Sequence, residues 1–296
     1  MGDSDPRPQG ARVTTAMVGS ATALAPVAWS ERDAMLYALG VGASLGAPEA
    51  DLQFTTENTG GVQLVAIPSM LTVLSVGVPP PALTTIDMGL MLHAEHKLEL
   101  LRPLPTSGTG WMDNCIAGVE DKGAGSGAII HNTATLYADA QGQQPIARSC
   151  SSIFIRGAGG FGGPRNSSPA YSLPSRAPDA TITYETRPEQ ALLYRLSGDR
   201  HRLHSDPEFA RERGFPRPIL HGLCTYGFAC RALVEALCSG DTTRFMAMSG
   251  RFSRPVLPGE ALTTQIWRQG DGEAIFRTLN PAGEPVLERG TARYRA

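Results

Sequence analysis

The sequence lacks the features of a nucleic-acid-binding, membrane-spanning or disulfide-linked protein. Its 296 residues carry a formal net charge of -2 and contain no lysine- and arginine-rich block. A nucleic-acid partner or a basic membrane patch is therefore not expected. No apolar run approaches the roughly 20 residues of a membrane-spanning helix. The five cysteines form no Cys-x-x-Cys pair, which predicts free thiols, no structural zinc and a reducing, cytoplasmic setting.

Composition divides the chain into two halves with a linker between them. A glycine-rich stretch and the Ser/Pro-rich residues after it predict the linker. The order of strands and turns is similar on both sides, which indicates an internal duplication. We predict an N-terminal extension that is disordered in part, a non-catalytic half, the linker and a catalytic half. These segments are residues 1–28, 29–160, 161–178 and 179–296.

Two helices can be placed from the sequence. Ser30 and Asp33 form a capping-box variant, so a helix is expected to begin there and to end at Gly40 and Gly42. The run over residues 220–238 is apolar on nearly every face, which is typical of a buried helix. The simplest way to bury it is an antiparallel sheet wrapped around it, so the expected fold class is α+β.

A carboxylate and an imidazole lie five positions apart at Asp199 and His204, in a segment predicted to be a loop. Taken alone, these two residues fit two interpretations equally well: a catalytic pair, or a turn-capping aspartate with a structural histidine. Gly222 favours a catalytic role, because a helix that opens at glycine presents free N–H groups and a positive dipole end. Such donors stabilise an enolate-like oxygen, as in water addition to a conjugated double bond. We expect His221 to pack at the helix mouth.

Three segments resemble the (R)-specific enoyl-CoA hydratases, a MaoC-like group with a double hot-dog fold. They are Tyr194-Arg-Leu-Ser-Gly-Asp199, Leu203-His-Ser-Asp-Pro207 and Arg217-Pro-Ile-Leu-His-Gly-Leu-Cys-Thr-Tyr-Gly227. Further similarity lies in Tyr37-Ala-Leu-Gly-Val-Gly42, Arg102-Pro-Leu-Pro-Thr-Ser-Gly108 and the Gly-Gly-Phe-Gly-Gly163 stretch. The resemblance covers residues 29–296.

The resemblance implies a specific chemistry. Asp199 and His204 would hold the attacking water, and the Gly222 N–H would form the oxyanion hole. The substrate would be a trans-2-enoyl thioester of coenzyme A, and the product would be its (3R)-3-hydroxyacyl form, as in fatty-acid β-oxidation. The resemblance implies neither a metal ion nor a redox cofactor. It also implies that the N-terminal half has lost its site and helps to form a roomy acyl tunnel.

One departure from the family pattern concerns activity. The family has Asn-Pro at the positions of His201 and Arg202, and that asparagine helps to fix the catalytic water. His201 is a candidate for orienting the water from a different position, and Arg202 is expected to place a positive charge near Asp199. We therefore expect altered or reduced activity.

Arg254 and two histidines are the other polar residues considered for a site. Arg254 is a candidate for binding a coenzyme A phosphate, and a strand-edge salt bridge fits equally well. His93 and His96 are three positions apart with no evident third ligand, so we expect no metal site there.

Three alternatives stay open at this point. The same residues serve the reverse reaction, the dehydration of 3-hydroxyacyl thioesters. Thioesterases also use hot-dog scaffolds, although the Asp/His pair argues against that class. The departure at residues 201–202 leaves a non-catalytic acyl-CoA-binding protein as the third reading. A monomer of two hot-dogs is expected, with a homodimer as the second possibility.

Overall fold

The computed structural model describes residues 12–77, 79–166 and 171–296, and within them ten strands form one antiparallel sheet. The five strands of the first half are β1 (Ala25–Trp29), β2 (Met91–Leu100), β3 (Gly108–Asp121), β4 (Gly127–Tyr137) and β5 (Pro145–Arg156). The five strands of the second half are β6 (Ala180–Tyr184), β7 (Phe245–Phe252), β8 (Leu262–Gly270), β9 (Glu273–Leu279) and β10 (Pro285–Tyr294).

The strand order repeats between the halves. It reads β1-β3-β4-β5-β2 in the first half and, from the opposite edge, β6-β8-β9-β10-β7 in the second. The halves join where β2 pairs with β7, with His96 opposite Gly250. The four segment boundaries given above remain predictions, and residues 1–11, 78 and 167–170 of those segments lie outside the described residues.

Six α-helices in the described residues complete the fold. They are α1 (Glu31–Gly40), α2 (Leu52–Thr55), α3 (Leu71–Leu74), α4 (Gln190–Tyr194), α5 (Pro207–Glu212) and α6 (Gly222–Cys238). The sheet wraps around α6, which contacts β6, β7, β8 and β10 and is buried on nearly all faces. The predicted α+β arrangement around a buried apolar helix is confirmed.

Helix α1 begins as the sequence predicts. The Ser30 hydroxyl accepts a hydrogen bond from the Asp33 N–H, and the Asp33 carboxylate accepts one from the Ser30 N–H. This capping box satisfies N–H groups that the first turn leaves without partners. The helix then packs against α4, where the rings of Tyr37 and Tyr194 lie 6.0 Å apart. These contacts place the end of α4, and the loop after it, against the first half.

The glycine-rich stretch is tied to the N-terminal half through Asp121. Its carboxylate accepts hydrogen bonds from the N–H groups of Gly123, Gly160 and Gly162, at 2.7–2.8 Å. These hydrogen bonds lower the pKa of Asp121 to about 2, because they stabilise the carboxylate form. The start of the connection between the halves is therefore fixed to the end of β3.

Two sequence expectations about composition can be checked directly. All five cysteines are free thiols, and the three in α6 are buried. Among the described residues, none of the helices combines the length and the apolar character needed to cross a membrane.

Candidate active site

The loop after α4 holds Asp199 in a fixed position. Gly198 takes a φ of 141°, a conformation that side-chain-bearing residues rarely adopt. The Asp199 carboxylate then accepts a hydrogen bond from the His201 N–H at 3.1 Å. A 3-10 turn follows over Arg202–His204, and the His201 Nδ1 accepts from the Leu203 N–H at 3.3 Å. His201 thus caps this turn, as an asparagine side chain could.

His204 has a defined tautomer. Its Nδ1–H donates to the Ile219 carbonyl oxygen at 2.9 Å, so the neutral ring carries its lone pair on Nε2. Burial is the largest influence on this ring and lowers the pKa of His204, while the hydrogen bond to Ile219 acts in the opposite direction. The imidazole therefore stays neutral at mildly acidic pH and can accept a proton through Nε2.

His221 packs at the mouth of α6, where the sequence predicts it, but it also joins Asp199 to His204. Its ring is 1% exposed and stacks on His204 with centroids 3.7 Å apart. Its Nε2–H donates to the Asp199 carbonyl oxygen at 3.1 Å. Burial, and then the neighbouring His204, lower the pKa of His221 to about 3. A neutral His221 thus supports both side chains.

These three residues form one cluster. One ligand atom each from Asp199, His204 and His221 lies within 4.8 Å of the others. A carboxylate with two imidazole nitrogens is a donor set that a divalent metal ion can use. The resemblance implies no metal here. The same three groups also form a proton-transfer centre, and the direction of the Nδ1–H of His204 fits that use.

The N-terminus of α6 lies beside this cluster. Its N-cap residue, His221, makes no side-chain cap, and among the described residues no acceptor is found for the N–H groups of Gly222 and Leu223. A Cβ added to Gly222 would come within 3.3 Å of the Phe252 ring. Glycine therefore keeps these donors accessible while the ring packs closely.

Arg202 forms an ion pair with Asp206, and its effect on Asp199 stays a prediction. Its guanidinium binds the Asp206 carboxylate, with Nη2 and Oδ2 2.5 Å apart, and not the Asp199 side chain. Asp206 also caps α5 by accepting from the N–H groups of Glu208 and Phe209. Because these residues are four positions apart across a turn, the charge of Arg202 is paired locally with Asp206.

Arg254 forms a strand-edge salt bridge, which was one of the two roles expected for it. Its Nε lies 3.4 Å from a Glu284 carboxylate oxygen, and its Nη1 donates to the Pro285 carbonyl at 3.3 Å. The side chain remains 45% exposed. Contact with a coenzyme A phosphate stays a prediction.

Sequence reasoning missed the contribution of His93, which comes from β2 in the other half. Its ring packs edge-on against Phe252 at 4.9 Å. Burial lowers the pKa of His93 to about 4, and the Asp199 charge opposes this shift. Among the described residues, no third His, Cys, Asp or Glu ligand joins His93 and His96. His93 lies on β2, which pairs with β7 of the other half, and no local pattern signals that pairing.

The cap made by His201 leads to a prediction. Asparagine at position 201 keeps an acceptor for the Leu203 N–H and restores the family's amide beside Asp199. We expect His201→Asn to raise kcat for crotonyl-CoA hydration by roughly tenfold. His201→Ala is the matched comparison, because it removes the cap and should lower stability by about 1 kcal/mol. Unchanged turnover in His201→Asn contradicts a water-orienting role for this position.

The chain is similar to known proteins over most of its length. The family described as the MaoC like domain matches residues 170–284, and the MFE-2 hydratase 2 N-terminal domain matches residues 28–157. The chain is 42% identical to the 3-hydroxyacyl-thioester dehydratase Y of Mycobacterium tuberculosis, over 94% of this chain and 97% of that protein. It is 39% identical to the peroxisomal enoyl-CoA hydratase 2 of Arabidopsis thaliana, over 82% of each.

A solved structure shows the same architecture. The MaoC-like dehydratase of Phytophthora capsici superimposes with a TM-score of 0.83 at 33% identity, over 95% of this chain and 98% of that one. The predicted double hot-dog fold is confirmed by structural likenesses of this kind.

Proposed function

The chain belongs to the MaoC-like dehydratase and hydratase family, and from that premise we propose that it adds water to trans-2-enoyl-CoA to give (3R)-3-hydroxyacyl-CoA. The observation that carries the proposal is the cluster of Asp199, His204 and His221, in which the hydrogen bond from His204 Nδ1–H to Ile219 leaves Nε2 of the neutral ring as a proton acceptor. These groups lie beside the free N–H groups of α6. A proton acceptor and an oxyanion site are what this addition requires.

In the proposed reaction a water molecule binds between Asp199 and His204. His204 Nε2 takes one proton as the water oxygen attacks the β-carbon. The electron pair of the double bond moves through the α-carbon onto the thioester oxygen. The Asp199–His204 pair then returns one proton to the α-carbon, so that H and OH have been added and the pair regains its starting state.

The enolate oxygen would be held by the Gly222 N–H at the start of α6. The helix dipole adds to this stabilisation, because its positive end lies at Gly222. His221 is a positioning residue in this proposal, since it supports His204 by stacking and Asp199 by a hydrogen bond to its carbonyl.

The direct test is the loss of enoyl-thioester absorbance with crotonyl-CoA and with trans-2-dodecenoyl-CoA, followed by chiral analysis of the product. We expect turnover of at least one substrate to the (3R) alcohol. Release of free coenzyme A would instead indicate a thioesterase. Tight acyl-CoA binding by a folded protein that turns over neither substrate would indicate a non-catalytic binding protein.

The reverse direction is the second candidate, and one observation favours it. The Mycobacterium tuberculosis relative is named a 3-hydroxyacyl-thioester dehydratase. Dehydration passes through the same enolate and uses the same residues, so the structure serves both directions equally. Rates measured from both the enoyl and the (3R)-hydroxyacyl thioester give the equilibrium position and the two kcat values.

The lowered pKa of His204 predicts the pH dependence of the rate. The active form of this base is the neutral ring, and burial keeps it neutral below its ordinary pKa of 6.5. We therefore expect kcat/KM to hold as the pH falls through 6.5 and to decline only at lower pH. An acidic limb centred at or above pH 6.5 contradicts the assignment of buried His204 as the base.

Setting and partners follow from the proposed reaction. The proposed pathway is β-oxidation-like breakdown of acyl-CoA, and the proposed location is the cytoplasm, supported by the free thiols. The Arabidopsis relative is named peroxisomal, so fractionation of the host cell with compartment markers tests this location.

Arg254 would bind a coenzyme A phosphate after leaving Glu284, and Arg254→Ala should then raise KM with little change in kcat. Sedimentation distinguishes the proposed monomer from a homodimer.

A further inference from the structure

The inner face of the N-terminal half carries polar side chains that the proposed reaction does not use. They lie on the four strands β2–β5, on the side of the sheet that faces α6. We call this set the polar belt. Its members are His93, His96, Asn114, Asn132, Ser149 and Ser151.

The polar belt is held together by hydrogen bonds, with one acceptor left over. His96 Nδ1 lies 3.1 Å from the Ser151 hydroxyl and 3.3 Å from His93 Nε2. His96 Nε2 lies 3.2 Å from the Ser149 hydroxyl. Asn132 Nδ2 donates to the Asn114 side chain at 3.2 Å, while the buried Asn132 Oδ1 has no partner in the described part of the chain.

The surroundings of the polar belt are apolar. Leu98 and Leu100 lie on one side in one buried cluster, and Ile130 and Ile155 lie on the other side in a second cluster. Polar groups in such a position cost stability unless they are paired. On the matching strands β8 and β9, the polar side chains buried on this face are a threonine pair, Thr264 and Thr278.

The two threonines hydrogen-bond to each other. The hydroxyls of Thr264 and Thr278 lie 3.0 Å apart, and both residues are fully buried beneath α6. In the polar belt, by contrast, His93, Asn132 and Ser151 remain partly exposed although they face inward. These side chains are therefore not fully enclosed by the core.

The polar belt starts at the proposed active site. Phe252 contacts Gly222 on one side and His93 on the other. From His93 on β2 the belt crosses β5 to Asn132 on β4. Two strand spacings amount to about 10 Å. This distance is within the reach of an acyl chain whose thioester is held at Gly222.

We infer that the preferred substrate carries a hydroxyl group on its acyl chain, at a distance from the thioester, and that the polar belt binds this group. The inference rests on the proposed function. A hydroxyl is the matching group because it donates to the unpartnered Asn132 Oδ1 and accepts from Ser151 or a histidine N–H. An acyl chain without a hydroxyl group leaves these polar groups unpaired, so the site discriminates against it.

The test compares trans-2-dodecenoyl-CoA with a set of its monohydroxylated derivatives. The hydroxyl group of each derivative lies on a different carbon beyond the double bond, so the derivatives are positional isomers of one another. We expect at least one isomer to be hydrated with a kcat/KM about tenfold above that of the unsubstituted chain. Asn132→Leu should bring this ratio close to one, and Ser151→Ala should lower it. Thr133→Val is the matched control, because Thr133 neighbours Asn132 but faces the outer side of the sheet, and its ratio should stay at the wild-type value.

The outcomes separate this inference from the proposed function. Turnover of crotonyl-CoA and dodecenoyl-CoA with no gain for any hydroxylated isomer overturns the hydroxyl inference alone. The same holds if the preference survives unchanged in both Asn132→Leu and Ser151→Ala. No turnover of any thioester by the folded wild-type protein overturns the proposed function instead. Circular dichroism and melting curves of each variant confirm that the compared proteins are folded.

Discussion

Replacing Asp199 by asparagine is expected to lower kcat for enoyl-CoA hydration by about a thousandfold. The amide keeps the size of the side chain and an acceptor for the His201 N–H, which donates to Oδ1 at 3.1 Å. It removes the charge and the proton-transfer capacity next to His204. General acid–base groups contribute about a hundredfold to ten-thousandfold to such steps. Absorbance loss at saturating substrate measures the effect.

The matched control for this prediction is Glu212→Gln, which neutralises an exposed carboxylate on the nearby helix α5. Its kcat should equal that of the wild type. Melting curves should also place Asp199→Asn within a few degrees of the wild type, because the backbone contacts of residue 199 are kept. If kcat in Asp199→Asn stays within tenfold of the wild type, Asp199 is not the catalytic carboxylate.

The largest effect on stability is expected from Gly227→Ala, in the middle of α6. In an exposed helix this change stabilises by about 1 kcal/mol. Here the new Cβ would lie 2.4 Å from Val41 Cγ1 and 2.9 Å from the Tyr37 hydroxyl oxygen. Because both neighbours are fully buried, they have little room to move. We expect the free energy of unfolding to fall by about 2 kcal/mol, as measured by urea denaturation.

Two further variants attribute this effect to the contact. Gly60→Ala introduces a methyl group with no atom within 4 Å, so its free energy of unfolding should match the wild type. The double variant Gly227→Ala with Val41→Ala gives the new methyl group space. Its loss should be smaller than the sum of the two single losses. An additive double variant, or a stabilised Gly227→Ala, contradicts close packing of α1 on α6.

Local sequence patterns were sufficient for the parts of the site that lie close together in the chain. The glycine that opens α6 and the spacing of Asp199 and His204 are both short-range features. The tautomer of His204 was not predictable, because its hydrogen-bond partner is the carbonyl of Ile219, fifteen residues away. The stacking of His221 on His204 likewise depends on how α6 meets the preceding loop.

The fold shows the same division between local and long-range information. The apolar run of α6 and the capping box of α1 predicted both helices. Strand β1 was missed because its five residues pair with β3, about eighty positions later. The pairing of β2 with β7 was missed for the same reason, since it joins segments about 150 residues apart.

The β2–β7 pairing has a consequence for any attempt to separate the halves. Cutting the chain in the predicted linker leaves β2 of one half and β7 of the other as edge strands. The N–H and C=O groups that joined them then have no partners. Such an edge is a template for pairing with another chain. Each half alone should therefore assemble with further copies, whereas the two co-expressed fragments should reassociate along this edge. In the intact protein the covalent connection keeps the partner strand at a high effective concentration, so correct pairing outcompetes aggregation.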